Sequence, residues 1–156
     1  MKRILVLLLL TAAFLCAKAQ REQDFASRYM ALYAQGTSLS CTTVSPLMME
    51  RMMQLPSVEE NEQAKKVLQQ LKSIRMIQHS ESSEATHLYN LATRLAQRNS
   101  ARYKMRAEDQ GRQLYVRKRG RLIVEMVLMM KRNNHFCLVD LTGNMSETFM
   151  EQILKL

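Results

Sequence analysis

The sequence lacks the short motifs that mark the common enzyme classes. It contains no G-x-S-x-G, no H-E-x-x-H and no glycine-rich phosphate loop. These absences remove any motif-based case for an α/β-hydrolase, a zinc protease or a nucleotide-binding enzyme. Tryptophan is absent whereas methionine occurs 13 times, so flexible thioether side chains are expected to fill much of the interior. Beyond the N-terminal segment, no apolar run approaches the roughly 20 residues that span a bilayer.

The N-terminal segment has the three parts of a secretory signal peptide. Lys2 and Arg3 form its positive region, residues 4–17 form its apolar region, and residues 17–19 (Ala-Lys-Ala) form a small-x-small cleavage site. The sequence therefore predicts cleavage after Ala19 and export to the periplasm or beyond. The mature chain, residues 20–156, is one domain in length.

Two alternatives to a discarded leader stay open. The apolar region of about 14 residues is short for a retained membrane anchor. Cys16 suggests a lipoprotein, but Leu15 before it is too large for a good lipobox. The sequence favours the cleaved leader over both the membrane-anchored and the lipid-anchored chain.

Apolar periodicity organises the first part of the mature chain into helices and strands. It predicts helices over residues 22–35, 47–55 and 84–98, a further helix that begins with a capping box at Ser57, and strands over 37–44 and 73–79. After Asn99 the apolar period changes from 3.6 to 2, and short turns separate four consecutive runs, which predicts an antiparallel meander. Asn144 and Glu147 read as a capping box that starts a last helix.

These elements predict an α+β fold in a single domain over residues 20–156. Strands and helices that are each apolar on one side must bury those sides against one another. The expected architecture is a two-layer sandwich, a mainly antiparallel sheet with a C-terminal four-strand meander and helices packed on one face.

Three segments together resemble an exported bacterial family of unknown function, DUF4252. The resemblance lies in residues 44–53 (VSPLMMERMM), 114–130 (LYVRKRGRLIVEMVLMM) and 136–145 (FCLVDLTGNM), and the leader fits it as well. It implies a small secreted or envelope protein of Gram-negative bacteria, sometimes lipid-anchored. It implies no activity, and Lys104-Met105 departs from the carboxylate and leucine that members often carry.

Basic residues are concentrated between residues 94 and 121, where ten lysines and arginines face only Glu108 and Asp109. A cationic surface of this kind suits arrays of phosphate, sulfate or carboxylate groups. We expect Lys104 and Arg106 to share a sheet face with Tyr115 and Arg117 of the next strand. The predicted binding residues are Lys104, Arg106, Tyr115, Arg117, Arg119 and Arg121. The alternative is a solvated surface whose cations discourage edge-to-edge aggregation.

Two cysteines, Cys41 and Cys137, remain after cleavage. In an oxidising compartment a bridge between them would close a loop of nearly a hundred residues, worth up to about 4–5 kcal/mol in the chain-entropy model. The alternative is two separate buried thiols that behave as small apolar side chains.

Other clusters give weaker indications. Met48, Met49, Met52 and Met53 form two i, i+4 thioether pairs, which could bind Cu(I), but the pairs diverge by about 100° on a helix, so core or partner contacts are favoured. The three histidines share no helical face, and no metal site is predicted. Glu125 and Asp140 are carboxylates within apolar strands and are candidates for acid–base chemistry, although pairing with arginines on adjacent strands is the favoured interpretation.

The sequence as a whole predicts a non-enzymatic exported envelope protein, an interaction module with a basic sheet face and no cofactor. Its expected partners are an acidic protein, an anionic lipid or a glycan, and not nucleic acid. A membrane-surface or lipid-anchored protein that binds anionic headgroups is the second hypothesis. A hydrolase that uses Glu125 and Asp140 is the third.

Overall fold

The computed structural model describes residues 23–155; the predicted leader, Cys16 and the cleavage site after Ala19 lie outside the described residues. Within that range the helices are α1 (Phe25–Tyr33), α2 (Pro46–Met53), α3 (Pro56–Glu59), α4 (Glu62–Leu68), α5 (Ala85–Arg98) and α6 (Glu147–Leu154). The strands are β1 (Leu39–Val44), β2 (Leu71–His79), β3 (Lys104–Asp109), β4 (Arg112–Arg119), β5 (Leu122–Arg132) and β6 (His135–Met145). None of the helices in this range combines the length and the apolar character needed to cross a bilayer.

The strands form one antiparallel sheet in the order β1-β2-β6-β5-β4-β3. The α+β class is confirmed, and β3 to β6 form the predicted meander. β6 runs between β2 and β5, so the last strand of the chain lies in the middle of the sheet. The turn between β4 and β5, the start of β3 and the start of α6 all lie at one end of the sheet.

One face of the sheet, here the α1 face, is covered by α1 and α5. Phe25, Tyr29 and Leu88 are fully buried against Val127 and Leu138 of the central strands. The aromatic rings of Phe25 and Tyr29 lie 6.5 Å apart, centroid to centroid. This cluster is the larger of two apolar cores in the described chain, and it fixes the position of α1.

The opposite face, here the α6 face, carries the second core. Phe149 and Met150 of α6 pack with Leu114, Met126 and Met145 of the strands. The helices therefore lie on both faces of the sheet, where the sequence predicted one. The reason is connectivity: α6 follows β6 after a single residue, and its apolar side faces strand residues that α1 and α5 leave uncovered.

The two cysteines lie on opposite faces of the sheet, so the possible bridge between them is not formed. Cys41 is the register partner of Ile77 and packs against the α1-face core, whereas Cys137 is the partner of Gln78 on the other side. Both are free thiols. Because β2 runs between their strands, the alternative of two separate thiols describes the molecule. Burial raises the pKa of Cys137.

Candidate functional site

The structure divides the predicted basic patch between the two faces of the sheet. Tyr115 is 3% exposed and packs beneath α5 in the α1-face core, so it cannot contact a ligand at the surface. Burial raises the pKa of its phenol. Arg117, two residues further along β4, points to the same side and forms an ion pair with Glu125. The predicted shared face of Lys104, Arg106, Tyr115 and Arg117 was wrong, because Lys104 and Arg106 lie on the side opposite to Tyr115 and Arg117.

The exposed cations of β3 and β4 gather around the start of α6. Arg106 Nη2 lies 3.2 Å from Glu147 Oε2, and Lys118 Nζ contacts Glu147 Oε1. The hydrogen bond from Lys118 lowers the pKa of Glu147. Lys104 is exposed on the same edge strand. Two cations thus share one carboxylate, which leaves this corner of the sheet positively charged.

The turn between β4 and β5 continues this positive surface to the tip of the hairpin. Gly120 adopts a positive φ of 61° between the exposed Arg119 and Arg121, and Leu122 beside them is 46% exposed. The set Lys104, Arg106, Lys118, Arg119 and Arg121 is called the basic end from here on. Four of its members belong to the six predicted binding residues; Lys118 was not among them.

A buried ion cluster lies beneath the start of α1, on the α1 face. Strands β2, β6, β5 and β4, neighbours in the sheet, supply Arg75, Asp140, Glu125 and Arg117 in that order. Glu125 is fully buried and is held by three donors: Arg117 Nε at 2.7 Å, the Phe25 backbone N–H at 2.6 Å and the Tyr103 hydroxyl at 3.0 Å. The predicted pairing of Glu125 with an arginine of an adjacent strand is thus observed.

Asp140 is the second buried carboxylate of the ion cluster. Its Oδ2 accepts the backbone N–H of Ala26 at 2.8 Å, and its buried Oδ1 has no partner among the described residues. Arg75, its register partner on β2, turns instead to Asp24, with Nη2 at 3.4 Å from the carboxylate. Asp24 itself accepts the Ser27 N–H as the N-cap of α1. The free N–H groups of the first turn of α1 are therefore satisfied by three carboxylates.

The ion cluster anchors a helix and has no open position for a substrate. Glu125 and Asp140 are both 0% exposed, and Tyr103 closes the cluster on the β3 side, with an edge-to-face contact to Phe25 at 5.3 Å between ring centroids. Burial and the charge of Glu125 raise the pKa of Tyr103, so its hydroxyl stays a donor. The geometry gives no support to acid–base chemistry by these carboxylates.

The ion cluster makes stability depend on pH. Burial and then the charge of Glu125 raise the pKa of Asp140 well above its usual range, despite the opposing Ala26 N–H. The folded state then holds the Asp140 proton more tightly than the unfolded state does. The contribution of this proton to the free energy of unfolding is complete below about pH 4, and it is lost as pH rises through the pKa of Asp140 in the folded state. We expect the free energy of unfolding of Asp140→Asn to fall less steeply with pH than that of the parent chain. The difference in slope should be at most about 1.4 kcal/mol per pH unit, which is the slope for one proton.

The measurement is urea unfolding of both proteins at a series of pH values from acid to neutral. Asp109→Asn, at an exposed turn, is the matched control and should leave the slope as it is in the parent chain. Equal slopes in the parent chain and Asp140→Asn would contradict this account of Asp140.

The remaining sequence candidates are structural. His79 accepts the Phe136 N–H at Nε2 and contacts the Glu81 carbonyl through Nδ1, so it fastens the end of β2 to β6. In the methionine cluster, Met49 is buried at 3% exposure while Met48 is 48% exposed, so the four thioethers do not converge. Over residues 23–155, no cluster of three or more histidine, cysteine or carboxylate side chains could hold a metal ion.

A groove on the α6 face is a site that the sequence did not reveal. It has a volume of about 370 Å³ and runs between β4, β5, β6 and the end of α6. Seven of the eight lining side chains are apolar: Leu114, Met126, Leu128, Met130, Val139, Leu141 and Ile153. The eighth is Arg112, which binds the Ile153 carbonyl at 3.1 Å. The apolar residues at alternate positions 126, 128 and 130 of β5 signalled burial, but only the short length of α6 leaves this face open.

Comparison with known proteins gives one result for the chain. No match was found among curated proteins. Residues 33–153 match the family described as a domain of unknown function, DUF4252. This span covers everything from the end of α1 to α6, including the basic end, both carboxylates of the ion cluster and the groove. The chain therefore belongs to the DUF4252 family.

Proposed function

We propose that this protein is an exported, non-enzymatic interaction module whose basic end binds a polyanionic partner in the cell envelope. The observation that carries the proposal is the gathering of five exposed cations at one end of the sheet, with Glu147 as the carboxylate that two of them share. Such a surface attracts phosphate, sulfate and carboxylate arrays through long-range electrostatics. Its partner is an acidic protein or glycan.

A second candidate is attachment to an anionic membrane surface by the same end. Two features favour it. Leu122 and Met105 beside the basic end are 46% and 42% exposed, and apolar side chains among cations suit the headgroup region of a bilayer. The chain also enters the fold here, since Arg102, just before β3, donates to the carbonyl of Gln23. A lipid-anchored form would hold this end against the membrane.

Reversing the charge at Lys104 and Arg121 should strongly weaken binding to polyanions. Each cation near an anionic surface is worth roughly 1 kcal/mol, so the double variant Lys104→Glu, Arg121→Glu should bind about 30-fold more weakly or worse. The measurement is binding of the mature chain to heparin and, separately, to phosphatidylglycerol vesicles at low and high salt. Binding by the parent chain should fall by at least about tenfold as salt screens the charges.

The control reverses two exposed cations away from the basic end, Arg94→Glu with Arg132→Glu, and should leave most of the binding intact. Preference for heparin supports the glycan or acidic protein, and preference for vesicles supports the membrane. Equal loss in both double variants would show a diffuse charge effect and would reject the basic end as the site. The basic end would also be rejected as the site if the parent chain bound neither heparin nor the vesicles at low salt.

A further inference from the structure

The α6 face carries more apolar surface than α6 covers. α6 has eight residues and is about 12 Å long, whereas β5 and β6 have eleven residues each and run for about 36 Å. Met126 and Met145 lie under α6 and are fully buried, but Leu128 and Val139 further along are only half-buried. The result is an apolar strip beside the helix.

This strip forms the groove of about 370 Å³ described above. Its volume falls within the range of small-molecule sites, about 300–1,000 Å³. Its walls are side chains of β4, β5 and β6, and Ile153 closes it on the helix side. A site that is apolar along its length requires a ligand that is apolar along its length.

In the described part of the chain, the single polar side chain that lines the groove lies at one end and is a cation. Arg112 begins β4, at the end of the sheet opposite the basic end. One of its terminal nitrogens donates to the Ile153 carbonyl, while its Nε is buried and has no partner within residues 23–155. Asp109, its register partner across the turn, forms no ion pair with it. A buried N–H of a charged group without an acceptor is costly, and a carboxylate is the acceptor that suits a guanidinium best.

We propose that the groove binds a free fatty acid, with the acyl chain along Leu128, Val139 and Leu141 and the carboxylate at Arg112. The methylenes of the fatty acid would cover the apolar strip. A carboxylate oxygen would accept the hydrogen bond from Nε of Arg112. This inference goes beyond the function proposed above and does not depend on it, because the groove and the basic end are separate. A second copy that packed its own groove against this one would bring no carboxylate to Arg112, because the groove lining contains none.

The test is the affinity of the mature, delipidated protein for saturated fatty acids from octanoate to palmitate, measured by calorimetry below their micelle concentrations. Each methylene that enters the groove should tighten binding by about fourfold, until the groove is filled and the affinity levels off. A long-chain fatty alcohol should bind more weakly than the acid of the same length, because it brings no charge to Arg112.

The variant Arg112→Met should weaken fatty-acid binding by at least about tenfold and leave alcohol binding nearly unchanged. Arg132→Met, an exposed arginine on the next hairpin, is the matched control and should bind both ligands as the parent does. Val139→Gln places an amide in the wall of the groove and should weaken the acid and the alcohol alike. It serves as the second variant if Arg112→Met does not fold.

Three results would overturn the proposal: affinity that does not change with chain length, equal loss of acid and alcohol binding in Arg112→Met, or a stable dimer by light scattering that binds no fatty acid. Binding to heparin or anionic vesicles should be the same in Arg112→Met and in the parent. A failure of the groove is therefore distinguishable from a failure of the basic end.

Discussion

Replacing Glu125 by alanine should lower the free energy of unfolding by about 3–5 kcal/mol, which is the usual cost of breaking a buried ion pair. The substitution removes the carboxylate that Arg117 Nε contacts, which is also the acceptor of the Phe25 N–H and of the Tyr103 hydroxyl. Each of these groups is too enclosed for water to replace the lost oxygen fully. Because small domains are stable by only about 5–15 kcal/mol, much of the protein should be unfolded by modest urea.

The measurement is equilibrium urea unfolding followed by circular dichroism. The control is the double variant Glu125→Leu with Arg117→Met, which removes the charges together and should recover much of the loss. If Glu125→Ala and the double variant cost the same, the ion pair is not the cause, and the lost hydrogen bonds to α1 and Tyr103 carry the effect.

Gly143→Ala should also be strongly destabilising, by about 1–3 kcal/mol or more, although the change adds a single methyl group. A Cβ at this position would stand 2.0 Å from the backbone carbonyl oxygen of Gln70, where no side chain can move aside. That carbonyl also accepts the Asn144 N–H at 2.9 Å. The methyl group would therefore push the end of α4 and the start of β2 away from β6.

The control is Gly120→Ala, at a position with a φ of +61° and no atom within 4 Å of the new Cβ. We expect this substitution to lower the free energy of unfolding by roughly 1 kcal/mol, which is the cost of the left-handed backbone alone. Thermal unfolding of the two variants separates the effects. A smaller loss at Gly143 than at Gly120 would contradict the close approach of Gln70.

Most of the elements could be predicted from the sequence because their apolar periods are regular. The helix at 85–98 follows its predicted range within a residue, and the predicted four-strand meander is formed by β3 to β6. Helix starts were less predictable, since several capping residues compete locally. α6 is capped by Ser146, whose Oγ accepts the Phe149 N–H at 3.1 Å, and not by Asn144, because β6 continues as far as Met145. α4 is capped by Asn61 and not by Ser57, since the helix that Pro56 begins ends at Glu59.

The faces of β5 could not be read from alternation, because a bulge changes the parity. Val124 is the extra residue between Ile123 and Glu125. Ile123 consequently joins Met126 and Met145 in the α6-face core, where strict alternation predicted it on the opposite side from Met126. Arg117 and the neighbouring Lys118 point to opposite faces, toward Glu125 and Glu147, because adjacent residues of a strand alternate. The predicted basic patch is divided by the register of β3, which pairs Lys104 with Val116 on the α6 face and not with Tyr115 on the α1 face.

The candidate sites were predictable only in their residue types. The sequence identified Glu125, Asp140 and the cations of the β4–β5 turn as unusual. It did not reveal that Asp24, Arg75 and Tyr103 complete the ion cluster, because those contacts join segments that are distant in the chain. It also gave no sign of Arg112 as the polar end of a groove, since the groove exists only because α6 is shorter than the strands it covers.

The anchoring of α1 has a consequence for the order in which the chain matures. The acceptors of its first two backbone N–H groups lie 100 and 114 positions further along the sequence. An emerging polypeptide therefore displays this helix long before its carboxylate anchors have been synthesised. Contacts of such long range form late and slow the folding of a domain. The nascent N-terminal half should remain open to proteases and chaperones until β6 has been released, and the molecule should then close in one cooperative step.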